Sequence, residues 1–202
     1  MDSIKIWNDA PSPRQARDIA SYLEGGGLAL MPTDSVYAIV CDALNAKAVG
    51  ELCRLKGINP EKNHLSVICA DISMAAEYAH IDDNGYRLLK DFTPGPFTFL
   101  FRSGRNLPNL FKKRKTVGIR IPDCATPRMV AEALGHPMLC TSIEFDDGDH
   151  AREPELIADT YAPTSVGLLV DGEEGRSEYT TVIDASDASA PEVVRQGIGR
   201  FE

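Results

Sequence analysis

Hydroxyls, two arginines and a lysine recur in this chain at the ends of apolar runs, and that combination of type and place is the chemistry of anion binding. Thr33, Asp34, Ser35 and Tyr37 crowd into PTDSVY, where one apolar run stops and the next begins. Lys56 follows an apolar-periodic segment. Thr98 stands just after the rigid turn Thr93-Pro94-Gly95-Pro96, and Arg120 sits inside VGIRIP. Thr141 and Ser142 close MLCTS, Thr180 and Thr181 open TTVID, and Arg195 closes EVVR. Hydroxyls can bond phosphate oxygens, and a guanidinium holds them with a two-pronged fork. Arg120 is the sharpest of these features. Flanked by Ile119 and Ile121, it points to the opposite face of its strand, and burying its charge unpaired is costly. It must reach solvent, a carboxylate or an anionic ligand, and an ion pair on an open sheet face meets that need as well as a ligand does. The PTDS elbow also has two readings: a turn bonded to its own backbone, or a binding loop at a strand end. No phosphate-binding glycine loop and no Ser-His-Asp arrangement occurs, and His64, His80, His136 and His150 are scattered.

Elements must hold these groups in place. Residues 12–23 read as a helix, with Ser12 as N-cap, Pro13 at the first position, and Ala16, Ile19, Ala20 and Leu23 on one face. The glycines 25–27 end it. Leu28–Met31 and 36–41 are short apolar runs bounded by turn-formers, the pattern of buried strands. Helices are expected over 45–55, 72–79, 83–92, 126–134 and 154–161. Strands are expected over 65–69, 97–101, 117–121, 138–142, 167–170, 180–183 and 192–195. Residues 102–115 read as a basic loop with room for one short helix, and the acidic, turn-rich 145–153 as a mobile loop. Strand–helix units followed by consecutive strands give an α/β fold, a single domain over 1–202 with a twisted mixed sheet and flanking helices.

The chain of 202 residues has 43% apolar and 25% charged residues, ordinary values for a soluble domain. No apolar run reaches the roughly 20 residues of a membrane span, and the start MDSIKIWNDAPS lacks the pattern of a signal peptide. Cys41, Cys53, Cys69, Cys124 and Cys140 are an odd number in apolar contexts without zinc spacing. Buried free thiols in the cytoplasm, and no dedicated metal site, are expected. The net charge of −9 argues against a protein that coats nucleic acid by its overall field.

The order PTDSVYAI, TPGPFTF, VGIRIP, CTSIE, YTTVID and VVRQG resembles the YrdC/YciO family over nearly the whole chain. The resemblance implies a large concave cleft. It also implies a function related to the synthesis of threonylcarbamoyl-AMP from threonine, bicarbonate and ATP, a step toward the t6A modification of tRNA. In that chemistry threonine's amine takes up carbon dioxide or bicarbonate, and the carbamate attacks the α-phosphate of ATP, releasing pyrophosphate. By resemblance Thr33 and Tyr37 line the threonine and carbamoyl end. Lys56, Arg120, Ser142 and Arg195 face the nucleotide, Lys56 and Arg120 in the catalytic role, and Ser35, Thr98, Thr141 and Thr181 share the cleft. ATP with Mg²⁺ would enter as substrate. Three positions depart from the synthases of the family. Their Lys-x-Arg is Lys56-Gly57-Ile58 here, their Ser-x-Asn is Ser142-Ile143-Glu144, and their Tyr-Gly is Tyr37-Ala38. Losing an arginine and gaining an acid make the site less favourable for ATP, and with the chain's length they place the resemblance nearest the YciO branch. Synthase, hydrolase of a related threonylcarbamoyl compound, and non-enzyme all stay open.

The resemblance also admits a binder of double-stranded RNA or tRNA. The relevant run is RSGRNLPNLFKKRK, in which Lys112, Lys113, Arg114 and Lys115 end a stretch with one interleaved phenylalanine and no acid. Such a run can track a phosphate backbone, and it can equally be a solvated face.

Overall fold

The structure is a computed structural model that describes residues 1–7, 10–60, 62–111, 115–172 and 175–201. Its strands are β1 (Asp2–Lys5), β2 (Leu28–Met31), β3 (Ala38–Asp42), β4 (Ser66–Ile68), β5 (Ala79–His80), β6 (Phe97–Ser103), β7 (Thr116–Arg120), β8 (Met138–Ser142), β9 (Val166–Asp171), β10 (Thr181–Asp184) and β11 (Glu192–Arg195). They form one mixed sheet in the order β1-β9-β2-β3-β8-β4-β7-β6-β10-β11, with β5 paired to β6. The helices are α1 (Pro13–Glu24), α2 (Ala46–Leu55), α3 (Ile72–Tyr78), α4 (Asp83–Phe92), α5 (Ala125–Leu134), α6 (Gly148–Arg152) and α7 (Pro154–Tyr161).

Local chemistry sets the boundaries. Ser12 and Gln15 form a reciprocal capping box at the start of α1, with Pro13 in its first turn. Asn45, Asp71 and Asp82 cap α2, α3 and α4 through their side chains. The inner faces of α1 and α2 bury the residues their periodicity marks, among them Ile19, Leu23, Val49 and Leu52.

The sheet is covered unequally, and that inequality makes the cleft. On one face Ile39, Val67, Phe99 and Ile119 join a large core with Leu52 of α2 and Leu89 of α4. On the other face α1 and α5 pack beside each other over Ala29, Val40 and Cys140. Ile68 of β4 still joins this second core, and among the described residues no buried side chain of β7, β6 or β10 does. The register aligns Ser66 with Gly118 and with Cys140, and Leu100 with Gly118. Ser66, Cys140, Leu100 and Arg120 line a concavity rimmed by β10 and β11.

Four expectations change. β1 is an edge strand with mostly exposed side chains, so it offers no alternation to read. Its parallel pairing with β9 and a Lys5–Asp171 ion pair at 2.9 Å fix it. β5 is a two-residue bridge to β6. The stretch 145–153, expected as a mobile loop, contains α6, whose first turn is tied by the His150 amide donating to Asp147 Oδ1 at 3.0 Å. The basic loop is anchored: Leu107 and Phe111 are only 1% and 2% exposed. Phe111 packs into the core and is not free to stack between bases. All five cysteines are free thiols, and no helix among the described residues is long and apolar enough to cross a membrane.

Candidate functional site

The cleft occupies about 280 Å³ above β4, β7, β6 and β10. Arg120 lies in its floor with a side chain 4% exposed. One guanidinium nitrogen, Nη2, donates to Ser35 Oγ at 3.1 Å, Thr33 Oγ1 at 3.3 Å and Asp34 Oδ1 at 3.3 Å. Asp34 is itself buried and takes a further bond, at 2.7 Å, from the Asp123 amide. Nε of Arg120 has no hydrogen-bond partner among the described residues. The elbow meets the first of its sequence readings. Thr33 Oγ1 donates to the Val36 carbonyl at 2.8 Å and accepts from the Ser35 amide at 3.1 Å, so it is a self-bonded turn. The same turn grips Arg120 in the cleft floor.

Thr98 and Thr180 share a hydrogen bond between their hydroxyls at 2.9 Å on the cleft wall. Arg195 reaches over them from β11. Its Nη2 donates to the Thr180 carbonyl at 2.9 Å, and its guanidinium covers the Tyr179 ring at 5.4 Å from the centroid. Tyr179 stacks in turn on Phe145, with ring centroids 5.8 Å apart. Partial burial, and then the charge of Arg120, push the Arg195 guanidinium below its ordinary value, while Tyr179 opposes the shift. An anion bound near both guanidinium groups would offset the positive charge they bring to the cleft. Ser142, Thr141, Ser66, Asn63 and His64 add to the polar lining, and Ile58 supplies an apolar wall.

Arg120, Thr98, Thr141, Ser142 and Arg195 converge on this cleft. Thr33 and Ser35, 8% and 1% exposed, lie behind it and accept hydrogen bonds from Arg120. Three expected positions differ. Tyr37 is fully buried beneath the floor. Its hydroxyl accepts from the Gly172 amide at 3.3 Å, and burial pushes the phenol up from its ordinary range. Thr181 alternates to the far side of β10. Its hydroxyl donates to the Gly199 carbonyl at 2.6 Å and accepts from the Gly197 amide at 2.9 Å, which anchors the C-terminal segment. Lys56, at the end of α2, lines a neighbouring pocket and is ion-paired with Glu144 at 2.7 Å. That side chain is 8% exposed against 80% for Glu144. Lys112, Lys113 and Arg114 fall outside the described residues. Lys115 is exposed at the entrance to β7, with its carbonyl accepting from the Ser103 amide at 2.9 Å.

Sequence reasoning passed over Asp34 as the partner of Arg120, and over Ser66 as a cleft group. Strand alternation admits only one of Thr180 and Thr181 to the cleft, and the pairing of β10 with β6 decides which. Ser66 is signalled only by its register opposite Gly118, whose missing side chain leaves it room. Among the described residues no group of three His, Cys, Asp or Glu side chains stands in a metal-holding arrangement.

The Sua5/YciO/YrdC family model, described as telomere recombination, matches residues 21–197. YciO of Escherichia coli (strain K12) is 35% identical over 197 residues, covering 96% of this chain and 94% of that one. Its crystal structure superposes with a TM-score of 0.87, covering 99% and 98% of the two chains. A threonylcarbamoyl-AMP synthase of Bos taurus is 30% identical over 200 residues, which is 95% of this chain and 69% of the synthase. P. abyssi Sua5, whose crystal structure holds L-threonine, matches in fold with a TM-score of 0.83 at 23% identity. That match covers 97% of this chain and 57% of the other.

Proposed function

The chain belongs to the Sua5/YciO/YrdC family, and from that premise we propose that its cleft binds an adenine nucleotide or a threonylcarbamoyl-adenylate type of ligand. The phosphate lies between Arg120 and Arg195, with hydroxyls of Thr98, Thr180 and Ser142 around it. The observation that carries this reading is the convergence of Arg120 and Arg195 on one polar cleft, with Asp34, the carboxylate paired to Arg120, outside its lining. An arginine fork can bond two oxygens of one phosphate at once.

Efficient threonylcarbamoyl-AMP synthesis is not part of the proposal. Lys56 is neutralised by Glu144, and Ile58 presents an apolar wall where the synthases carry an arginine. ATP, arriving with its own Mg²⁺, therefore meets fewer cations for its outer phosphates than AMP needs for its one. The chain's residues supply positioning and charge stabilisation, with Arg120 held rigid by the elbow and Arg195 closing from the rim.

A thermal-shift series tests this with ATP, AMP, threonine, threonylcarbamoyl-adenosine and tRNA. A phosphate-bearing adenosine ligand at a hundredfold excess over its Kd stabilises by about 2.7 kcal/mol, and Arg195→Ala removes the shift. No stabilisation by any adenosine compound would sink the reading. Rapid release of pyrophosphate that needs threonine, bicarbonate and ATP, and is lost in Lys56→Ala, would show the synthase reading to be right instead.

A further inference from the structure

A second cavity, of about 400 Å³, lies on the other side of the elbow from the cleft. Pro32, Thr33 and Asp34 form one wall, and the start of α5 with Cys124, Thr126 and Arg128 forms another. Gly172 and Arg176 close it. Its volume falls within the roughly 300–1,000 Å³ range of small-molecule sites. Nothing in the nucleotide reading uses it.

Its charges are distributed unevenly. Among the described residues Arg128 and Arg176 make no ion pair, and Nε of Arg128 is buried without a hydrogen-bond partner. A buried, unbonded guanidinium nitrogen is costly unless something else bonds it. Two acids also line the cavity. Asp34 has its carboxylate held by Arg120 on one oxygen and by the Asp123 amide on the other. Asp123 is exposed at the rim. The first turn of α5 opens on the same space, and Cys124 provides no side-chain cap for it, so the helix end adds to the positive potential there.

We propose that this cavity is a second binding site, for a small molecule with an oxyanion head, phosphate or carboxylate, held between Arg128 and Arg176. It is separate from the nucleotide cleft and shares with it only the wall made by the Arg120–Asp34 pair. The head group bonds the guanidinium groups of Arg128 and Arg176, and the remaining volume takes a short organic tail.

Cys124 makes the site directly observable. It lines the cavity and is half-buried, whereas the other four cysteines are buried. Burial pushes its thiol up to about 11, so labelling is run at alkaline pH. Inorganic phosphate and succinate are titrated separately against wild type, Arg128→Gln and Arg176→Gln, with Tm and Cys124 labelling read together. Arg176 is exposed, so its replacement leaves the fold intact. Cys124→Ser identifies the labelled thiol. The expected result is that at least one of the two anions raises Tm and slows labelling of Cys124. Each arginine substitution should then raise the half-saturating concentration at least tenfold. A response to phosphate alone assigns a phosphorylated ligand, and a response to succinate alone assigns a carboxylate. No Tm shift with either anion, or a shift unaltered by Arg176→Gln, overturns the site. Arg195→Ala removes any phosphate bound in the nucleotide cleft but should leave the protection of Cys124 from labelling unchanged, so failure here and failure of the nucleotide reading are separable.

Discussion

Glu144 decides what Lys56 can do, because a lysine 8% exposed and bonded at 2.7 Å to a carboxylate has no charge left over for a phosphate. The exposed carboxylate holds it from the solvent side, where the attraction is screened and modest, so the pair can be opened without unfolding the chain. Replacing Glu144 by Gln frees the ammonium and removes a repelling charge in one step. Affinity for ATP should rise several-fold relative to AMP, measured by calorimetric titration of both nucleotides. An unchanged ATP-to-AMP ratio would mean that the phosphates never approach α2. Arg120 differs because its partner is buried with it. Arg120→Met strands Asp34, whose side chain is 6% exposed, and removing one member of a buried pair costs about 3–5 kcal/mol. Denaturant unfolding should show that loss. Arg120→Met with Asp34→Asn together should recover much of it while still failing to bind nucleotide. Recovery of stability without binding separates the structural role of the pair from its role under the cleft.

At the level of elements, most boundaries were legible because the local signals agree with one another. α1 has its capping box and one apolar face, and β2, α4, β8, α7 and β11 fall on their expected residues. What escaped depends on contacts far apart in the chain. β1 exists because β9 offers it an edge, and Phe111 is buried because the loop folds back onto the core. The site was partly legible in the same way. Residue types and strand ends pointed to Arg120, Thr98, Ser142 and Arg195, whereas facing was lost at Thr181 and Tyr37, since register is a property of the neighbouring strand. Gly118 shows how much such facing matters. A Cβ built there would overlap Ser66 Oγ and come within 3.0 Å of Thr98 Cγ2. Gly118→Ala should therefore push both groups into the cleft. Overpacking of this kind typically costs about 1–3 kcal/mol, and nucleotide-induced stabilisation should fall beyond that. Full binding in this variant would place the ligand away from β4 and β7.

Over the whole molecule the net charge is −9, so any contact with RNA must come from a local basic surface strong enough to overcome the general field. Lys112, Lys113, Arg114 and Lys115 are the concentrated candidates, and Phe111 beside them is spent in the core, which leaves charge without base stacking. Charge alone gives binding that is weak, indifferent to sequence and sensitive to salt. The expectation for tRNA at about 0.1 M salt is therefore weak association. Its logarithmic salt slope should flatten by about 0.7–0.9 for each phosphate contact removed when the four are replaced by Gln. The same quadruple variant should keep the full nucleotide-induced Tm shift, because Arg120, Arg195 and the hydroxyls of the cleft are untouched. Fluorescence titration and thermal shift on one preparation measure both. Tight tRNA binding that survives the quadruple replacement would move the RNA contact onto the cleft itself. Arg195→Ala would then have to weaken RNA and nucleotide together, and the two ligands would have to compete.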